Sequence, residues 1–453
     1  MVVACLAAIA ISAVALALWQ WLTPAGFASV YGVNPRAVAD WRHAVGLANA
    51  PPSLSLRAYN VVFRALLAEM LLAYAVLLWR VHVGTDRPAQ PPPPPAARQV
   101  LRVAIPVVAL VALLMPPLLS TDVFAYVGYG RLGVVHDLNP HLHTQAELVR
   151  RGDPTAPYLH WDIPSPYGAL WTIVSMLLVR VMPAGAVLLP VLAFKLLGGA
   201  ALVAVALLVR RIARDLDGDE RRADGAMAAV IANPVLLIEG PGNAHNDIVM
   251  MVAVLGALAL FARRRIHAAA GLAGVAAAVK LVPLMMVPWL AVAAARGRAR
   301  VGAGRWPAWL GAGAAVVALA MAMVVAAYAP FWSGFRTLAG LALRWQSGHG
   351  IGDAHVTAGA IAGHLAPLVV GVGAASLWAV LAPVSEAARR AVTAWAWAAL
   401  VVLLFAAGVW YPWYLAWIWP AVLIRVNLAH RLLAMVAMAL SALTLLYTIA
   451  PPA

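Results

Sequence analysis

Cysteine, lysine and charge of either sign are scarce in this sequence of 453 residues. The single cysteine, Cys5, excludes an intrachain disulfide and any metal site built from cysteines. Charged residues make up 11% of the chain and hydrophobic residues 64%, whereas a typical soluble domain has about 25% charged residues. These proportions argue strongly against a water-soluble globular protein.

The sequence also lacks the motifs of several enzyme classes. It contains no Walker phosphate loop, no dinucleotide fingerprint and no serine nucleophile elbow. His141 and His143 lie close together without a third ligand at a recognised spacing, so we expect no metal and no cofactor. No polar segment is long enough for a nucleotide-binding domain, which excludes an ATP-driven pump and a nucleotide-sugar enzyme with a soluble catalytic domain.

Long apolar runs fill most of the chain, and the mean hydropathy is +0.87. A transmembrane helix takes about 20 apolar residues, so the length leaves room for about 12–13 spans. The alternating pattern of a membrane β-barrel is absent. We therefore predict an all-α, polytopic helical membrane protein that forms a single domain over residues 1–453. It divides into N-terminal spans and a proline-rich linker (1–99), an external loop (120–165) and a transmembrane bundle (166–453), and the run 2–22 is interpreted as a retained span and not a signal peptide.

The net charge of +15 comes almost entirely from arginine, because Lys195 and Lys280 are the only lysines. The arginines gather in short clusters at the ends of apolar runs: Arg210, Arg211 and Arg214; Arg263, Arg264 and Arg265; Arg296, Arg298 and Arg300; Arg389 and Arg390. This pattern is typical of cytoplasmic loops that face anionic lipid and not of a nucleic-acid partner. Simple counting of crossings does not place all clusters on one side, and a hairpin of two short helices between His267 and Ala295 is an alternative to one crossing.

The polar segment 120–165 contains five carboxylates and four histidines: Asp122, Asp137, Glu147, Asp153, Asp162, His136, His141, His143 and His160. Asp122 directly follows an apolar run, where Ser120 or Thr121 could cap a helix. We expect that helix to lie along the membrane interface, burying Val123, Phe124 and Val127 and presenting Asp122, Tyr126 and Arg131 elsewhere. The position of Asp122 is compatible both with a helix N-cap and with a catalytic acid or base at the membrane boundary.

Two further polar positions interrupt apolar runs. In the turn Gly240–Asp247, either His245 and Asp247 face a polar ligand, or Asp247 only caps the next helix. Lys280 lies about 20 Å of helix from the arginine clusters on either side, too far for its side chain to reach water there.

The run Trp410–Leu415 fits an interfacial aromatic belt or a surface on which a sugar or an isoprenoid stacks.

In combination, the motifs resemble a known family. They are Asp122-Val-Phe-Ala-Tyr, Gly130-Arg131-Leu132, Leu138-Asn139-Pro140, Gly152-Asp153-Pro154, Trp161, Ser165-Pro166-Tyr167-Gly168, Asn233-Pro234, Ala244-His245-Asn246-Asp247, Val279-Lys280 and Pro412-Trp413-Tyr414. This order is similar to that of the polyprenol-phosphate-mannose-dependent α-(1→6)-mannosyltransferases of actinobacterial lipomannan synthesis, members of the GT-C superfamily. The resemblance covers about Val100 to Trp419, and His141 departs from it because the family usually has tyrosine after Asn-Pro.

The resemblance implies an inverting transfer of mannose from a polyprenyl phosphate sugar to a glycan or lipoglycan hydroxyl, on the outer face of the bacterial plasma membrane. Asp122 would be the general base, and the donor phosphate would be bound by cations, for which the candidates are Arg131, His245, Lys280 and Arg344. The implied substrate-binding residues are Tyr126, Asp137, Asn139, Asp153, Tyr167, Asp247, Tyr411, Trp413 and Tyr414. No cofactor or metal is expected.

Three alternatives stay open on the sequence alone. A secondary transporter is also polytopic, although such proteins usually have two related halves and here the polar residues concentrate in one early loop. A scaffold subunit without catalysis is the second alternative. The third is a related enzyme that uses another polyprenyl phosphate sugar, such as arabinose.

Overall fold

The computed structural model of the chain describes residues 2–22, 55–83, 96–117, 120–159, 162–300, 306–348, 370–378, 381, 383, 386–405 and 411–447. These ranges are helical apart from loops, and an isolated bridge between Ser333 and Phe335 is the only β-pairing within them. The all-α prediction is confirmed. The linker prolines Pro91–Pro95, together with His160 and Trp161, lie outside the described residues.

The first half of the chain forms an N-terminal group of helices, a polar loop with short helices, and a long central helix. The bounds are α1 (Val2–Trp19), α2 (Leu56–Val83), α3 (Ala96–Leu114), α4 (Asp122–Val134), α5 (Ala146–Arg150), α6 (Ala169–Arg180) and α7 (Leu188–Asp217). Helix α1 lies within the run 2–22 that was interpreted as a retained span.

The second half begins with broken helices and ends with longer ones. The bounds are α8 (Glu220–Ile231), α9 (Pro234–Leu237), a π-helical turn (Ile238–Gly242), α10 (Asn246–Ala262), α11 (Ile266–Val279), α12 (Val287–Arg300), α13 (Trp306–Tyr328), α14 (Ala339–Gly348), α15 (370–378), α16 (Ala387–Phe405), α17 (Trp419–Ile424) and α18 (Leu428–Tyr447). Short 3₁₀ segments at Val282–Met286 and Pro412–Trp417 precede α12 and α17.

Within the described ranges, five helices are long and apolar enough to cross a membrane, or six if the bent pair Glu220–Ile231 and Pro234–Gly242 is one span. Seven more apolar helices are shorter. The polytopic character is thus confirmed, whereas the number of 12–13 spans stays a prediction.

Helices α11 and α12 form the hairpin that was an alternative at His267–Ala295. Gly271 and Gly274 of α11 lie against Leu319 and Ala320 of α13 in the same order, so α11 runs parallel to α13. Gly313, near the start of α13, lies against Ala291 of α12, and the short connection between these helices makes them antiparallel. The chain reverses between α11 and α12, which returns Arg296 to the end of the molecule where Arg265 precedes α11.

The arginine clusters gather at this end with the acidic loop between α7 and α8. Arg263, which follows α10, lies 2.9 Å from Asp215, and Arg210 lies 2.6 Å from Asp224. Arg389, at the start of α16, donates to the carbonyl of Leu216. We call this set of ion pairs the arginine end. Because α7 and α10 both have one terminus there, their other termini, at Leu188 and Asn246, lie at the opposite end of the bundle.

Helix α4 is more deeply placed than predicted. Every residue from Asp122 to Leu132 is buried, so the expected separation into a buried face and a face that presents Asp122, Tyr126 and Arg131 is wrong, while the location of the helix at the membrane interface stays a prediction. Tyr126 of α4 packs on α6 and α7. Its ring centroid lies 5.1 Å from that of Trp171 in α6 and 5.5 Å from that of Phe194 in α7. A helix with apolar and small residues on all sides can be surrounded by other helices, which is what the flanking spans do here.

Candidate active site

Asp122 is the first residue of α4 and lies inside the bundle with a small opening. The hydroxyl of Ser120 accepts a hydrogen bond from the Asp122 backbone N–H, whereas Thr121 makes no side-chain cap. The Asp122 side chain is 12% exposed. The Ser120 hydroxyl thus takes the role of the helix cap, and the partly open surface of the Asp122 carboxylate lets a small polar group reach it.

The chain from Asn233 to His245 brings a second set of polar groups to Asp122. The Asn233 side chain caps α9 by accepting from the N–H of Leu236, and Pro234 starts that helix. A π-helical turn follows, and Ala244 takes a left-handed conformation with φ of 63°. Both features are irregular, and both direct side chains toward the bundle interior.

His245 lies between two carboxylates. Its Nδ1 is 3.6 Å from Asp122 Oδ2, and its Nε2 is 3.3 Å from Glu239 Oε2. The imidazole stacks on Trp413 with ring centroids 3.9 Å apart, and Trp413 stacks on Tyr411 at 4.3 Å. Three nearly parallel rings therefore fix the plane of the imidazole, and each ring nitrogen lies within ion-pair distance of a carboxylate without hydrogen-bond geometry.

Asp247 forms the second ionic pair of the site. Its Oδ1 accepts hydrogen bonds from Lys280 Nζ at 2.7 Å and from Trp417 Nε1 at 2.6 Å. The ammonium also lies over the rings of Tyr414 and Trp417, 4.5 Å and 5.2 Å from their centroids. The Lys280 side chain is 25% exposed and that of Asp247 only 1%, so the ammonium is the part of this pair that a ligand can reach.

Lys280 is held in place by the end of the polar loop. The N–H of Gly168 donates to the carbonyl of Val279 at 3.1 Å, and a Cβ at position 168 would come within 2.2 Å of the Ala278 carbonyl oxygen. Only glycine permits this approach. The loop motif that contains Tyr167 and Gly168 thus fixes the position of Lys280.

Tyr126 and Tyr167 form the wall beneath the site. Their rings meet edge to face at 4.8 Å, and the Tyr126 hydroxyl accepts a long hydrogen bond of 3.4 Å from the Asn246 N–H. Burial raises the pKa of Tyr126 well above its ordinary value, and the nearby Asp122 and Asp247 carboxylates raise it further. Tyr126 is accordingly a neutral hydroxyl at physiological pH.

Arg131 and Asp153 pair with each other instead of facing Asp122. The Arg131 guanidinium donates to Asp153 at 2.8 Å and to the carbonyl of Ala184, and His136 Nε2 lies 2.7 Å from the same carboxylate. Burial alone would raise the pKa of Asp153, but hydrogen bonds from Arg131, Thr155 and His136 outweigh it and lower the pKa to about 2. In the structure these residues fasten α4 to the polar loop; their predicted contacts with substrate stay predictions.

Other residues of the polar loop attach the loop to the helices around it. The Asn139 side chain donates to the Phe331 carbonyl at 2.7 Å, and Asp137 is exposed in a left-handed conformation. His141 is buried against Tyr328 and Phe331, where desolvation lowers its pKa to about 4 despite a hydrogen bond with Ser165. Arg344 belongs to α14, but its side chain lies outside the described part of the structure.

The structure therefore brings together eight of the predicted residues: Asp122, Tyr126, Tyr167, His245, Asp247, Lys280, Trp413 and Tyr414. Tyr411 joins them through the ring stack. A small hollow beside them is lined by Leu236, Glu239, His245, Asp247, Trp413 and Ala416, among others. Among the described residues no group of three or more His, Cys, Asp or Glu side chains is arranged to hold a metal ion.

Sequence reasoning missed Glu239, Asn243 and Trp417. Glu239 lies in an otherwise apolar run, and a charged residue at membrane depth is costly. The argument that selected Asp247 would therefore also have selected Glu239. Asn243, which donates to Glu239 Oε2 at 3.0 Å, and Trp417 carried no comparable signal.

Comparison with known protein families identifies a match. A family model described as alpha-(1->6)-mannopyranosyltransferase, N-terminal domain, matches residues 31–296. No curated protein and no solved structure matches the chain. The matched segment contains Asp122, the π-helical turn with Glu239, His245, Asp247 and Lys280.

Proposed function

The chain belongs to the alpha-(1->6)-mannopyranosyltransferase family, whose model covers more than half of it, and from this membership we propose that the chain is an inverting enzyme that uses a polyprenyl phosphate sugar. The donor is polyprenyl phosphate mannose, and the acceptor is a hydroxyl of a glycan or lipoglycan. Family membership favours this enzyme over a transporter or a scaffold subunit.

Asp122 is the proposed general base, and its placement is the observation that carries the proposal. Its carboxylate is buried, is open to the outside over a small fraction of its surface, and faces a histidine. In the transfer step the acceptor oxygen forms a bond to the anomeric carbon from the face opposite the phosphate. The hydroxyl proton passes to Asp122, the bond from the anomeric carbon to the phosphate oxygen breaks, and its electron pair leaves with the phosphate.

Lys280 is the proposed partner of the departing phosphate. The leaving group is a phosphate monoester, which is stable as an anion and needs positive charge more than a proton. The Lys280 ammonium is partly exposed, and Asp247, Trp417 and Tyr414 hold it in one orientation. A fixed cation stabilises developing charge without reorganisation during the reaction, which is the advantage of this arrangement.

The proposed location is the outer face of the plasma membrane. His245 and Asp247 lie at the start of α10, whereas Arg263 at its far end belongs to the arginine end. A helix of 17 residues is about 25 Å long, close to the thickness of the hydrocarbon core. If the arginine end faces the cytoplasm, as the positive-inside rule favours, the site opens toward the other leaflet.

The proposed activity is tested by transfer of radiolabelled mannose from polyprenyl phosphomannose to membrane acceptors. We expect Asp122→Asn to lower the rate by roughly 10²–10⁴-fold, the usual contribution of a general base, while the protein still inserts in the membrane. Asp162→Asn, which changes an exposed carboxylate of the same loop, should retain the wild-type rate. Near wild-type transfer by Asp122→Asn would refute the assignment of the base, and transfer from GDP-mannose alone would refute the donor.

The proposed orientation has a separate test. Cys5 is buried in α1, so a Cys5→Ala background allows single cysteines to be labelled by a membrane-impermeant maleimide. The cells are treated so that the reagent crosses the outer cell envelope while the plasma membrane stays intact. We then expect Asp162→Cys to be labelled, and Glu220→Cys to react only after the plasma membrane is disrupted. The reverse pattern would place the site on the cytoplasmic side.

A further inference from the structure

Glu239 is a carboxylate in the interior of the bundle that the transfer step leaves without a role. It lies in the π-helical turn, is 3% exposed, and approaches His245 from the side opposite Asp122. Asn243 donates to its Oε2, which fixes the carboxylate in the direction of the imidazole. A buried charge is expensive unless it is paired, so this placement calls for a cationic partner.

The imidazole is the group that can supply the cation. A neutral histidine has one N–H and one lone pair, so with a carboxylate at each nitrogen one of the two contacts would be repulsive. An imidazolium carries an N–H on each nitrogen and is attracted by both carboxylates, although neither contact has hydrogen-bond geometry in the structure. The face of Trp413, 3.9 Å away, is also a favourable neighbour for a flat cation.

The other charged groups around the imidazole do not compete for this role. Asp247, two residues along the chain, forms an ion pair with Lys280 and accepts a hydrogen bond from the indole N–H of Trp417. The hydroxyl of Tyr126 faces the N–H of Asn246. Among the described residues, Asp122 and Glu239 are the carboxylates at ion-pair distance from His245.

We propose that Glu239 is a positioning residue that holds the His245 ring by charge attraction, and that His245 in turn keeps the Asp122 carboxylate aimed at the acceptor hydroxyl. This inference rests on the proposed function and adds Glu239 and Asn243 to its machinery. It also gives His245 an effect on the base, which differs from the predicted contact with the donor phosphate.

The two roles of His245 separate in steady-state kinetics. A residue that only orients the base acts in the transition state, so its loss lowers kcat and leaves the KM for the donor unchanged. A residue that binds the donor phosphate in the ground state raises that KM when it is removed. The probe is polyprenyl phosphomannose, assayed with the full-length protein in detergent or lipid.

We expect Glu239→Gln and His245→Gln each to lower kcat by about 10- to 100-fold, with the donor KM within twofold of the wild type. Glu239→Asp should recover part of the loss, because it keeps the charge. The double variant should be no slower than His245→Gln, since Glu239 acts only through the imidazole. In an Asp122→Asn background, Glu239→Gln should have no further effect.

Glu220→Gln is the matched control, because it removes an exposed carboxylate at the arginine end, and it should match the wild type. If Glu239→Gln does not fold, Asn243→Ala tests the same connection with the Glu239 charge retained, and we expect a kcat several-fold lower. Multiplicative losses in the double variant, an unchanged kcat, or a raised donor KM would each overturn the inference. Absence of transfer by the wild-type protein would instead refute the proposed function.

Discussion

Lys280 and Asp247 lie 33 residues apart in the sequence, and their Nζ and Oδ1 atoms are 2.7 Å apart. The two residues come from the end of α11 and the start of α10, whose other ends meet at the arginine end. The pair therefore closes the site end of a helical hairpin, and it places a cation in the site at a position that the backbone determines.

Replacement of Lys280 by methionine tests whether its ammonium serves the substrate. Lys280→Met leaves the buried Asp247 without its cation, so we expect both a lower melting temperature and a transfer rate reduced at least tenfold. Lys280→Met combined with Asp247→Asn should recover the melting temperature, because no unpaired charge remains. Transfer should stay low in the double variant, and its recovery would show that Lys280 only neutralises Asp247.

The Arg131–Asp153 pair predicts a non-additive effect on stability. Asp153→Asn leaves Arg131 buried and unpaired, which costs about 3–5 kcal/mol when a buried ion pair loses one partner. Arg131→Met combined with Asp153→Asn removes both charges, keeps an amide oxygen that accepts from Thr155, and should be less destabilising than the sum of the two single changes. Chemical denaturation of the purified protein measures these differences, and additive losses would contradict the prediction.

Gly168 predicts a steric effect transmitted to Lys280. The backbone at Gly168 has an extended conformation that any residue adopts, so Gly168→Ala acts only through the contact of its Cβ with the Ala278 carbonyl. We expect that contact to displace Lys280 and to lower the transfer rate at least tenfold. Gly311→Ala is the control, since a Cβ there meets no atom within 4 Å. Wild-type activity of Gly168→Ala would show that the loop and the lysine are not connected.

His141 predicts how stability depends on pH. Burial lowers its pKa from 6.5 to about 4, so between these values the unfolded chain binds a proton that the native protein does not. Stability must therefore fall as the pH is lowered through this window, by roughly 3 kcal/mol in total. We expect His141→Phe to flatten the dependence in thermal unfolding from pH 7.5 to 4, and replacement of the exposed His267 by glutamine to leave it unchanged.

The sequence predicted individual residues of the site better than the contacts among them. Asp122, His245, Asp247 and Lys280 were recognised because ionisable residues that follow or interrupt apolar runs are rare, and inside a membrane they are costly. Their assembly depends on the hairpin of α11 and α12 and on the irregular turn before α10, which local patterns leave open. For the same reason, counting membrane crossings along the sequence could not place all arginine clusters on one side of the membrane.

The role of Arg131 shows a second limit of sequence reasoning. One helix was expected to present Asp122, Tyr126 and Arg131 together, but the partner of Arg131 in the structure is Asp153, which the loop returns to α4 after 22 residues. The path of an irregular loop is decided by packing, such as the contact of Asn139 with Phe331. The burial of α4 on all sides likewise depends on neighbours that an amphipathic pattern cannot reveal.

Helix α10 has no freedom to adjust one end without the other. Asp247 is bound at its first turn by Lys280 and Trp417, and Arg263 is bound just after its last turn by Asp215. Insertion of one residue between them would rotate one terminus by about 100° against the other and lengthen the helix by about 1.5 Å. The ion pair of Asp247 and the ion pair of Arg263 could not then both form. The number of residues in α10 therefore determines how far the site lies from the arginine end.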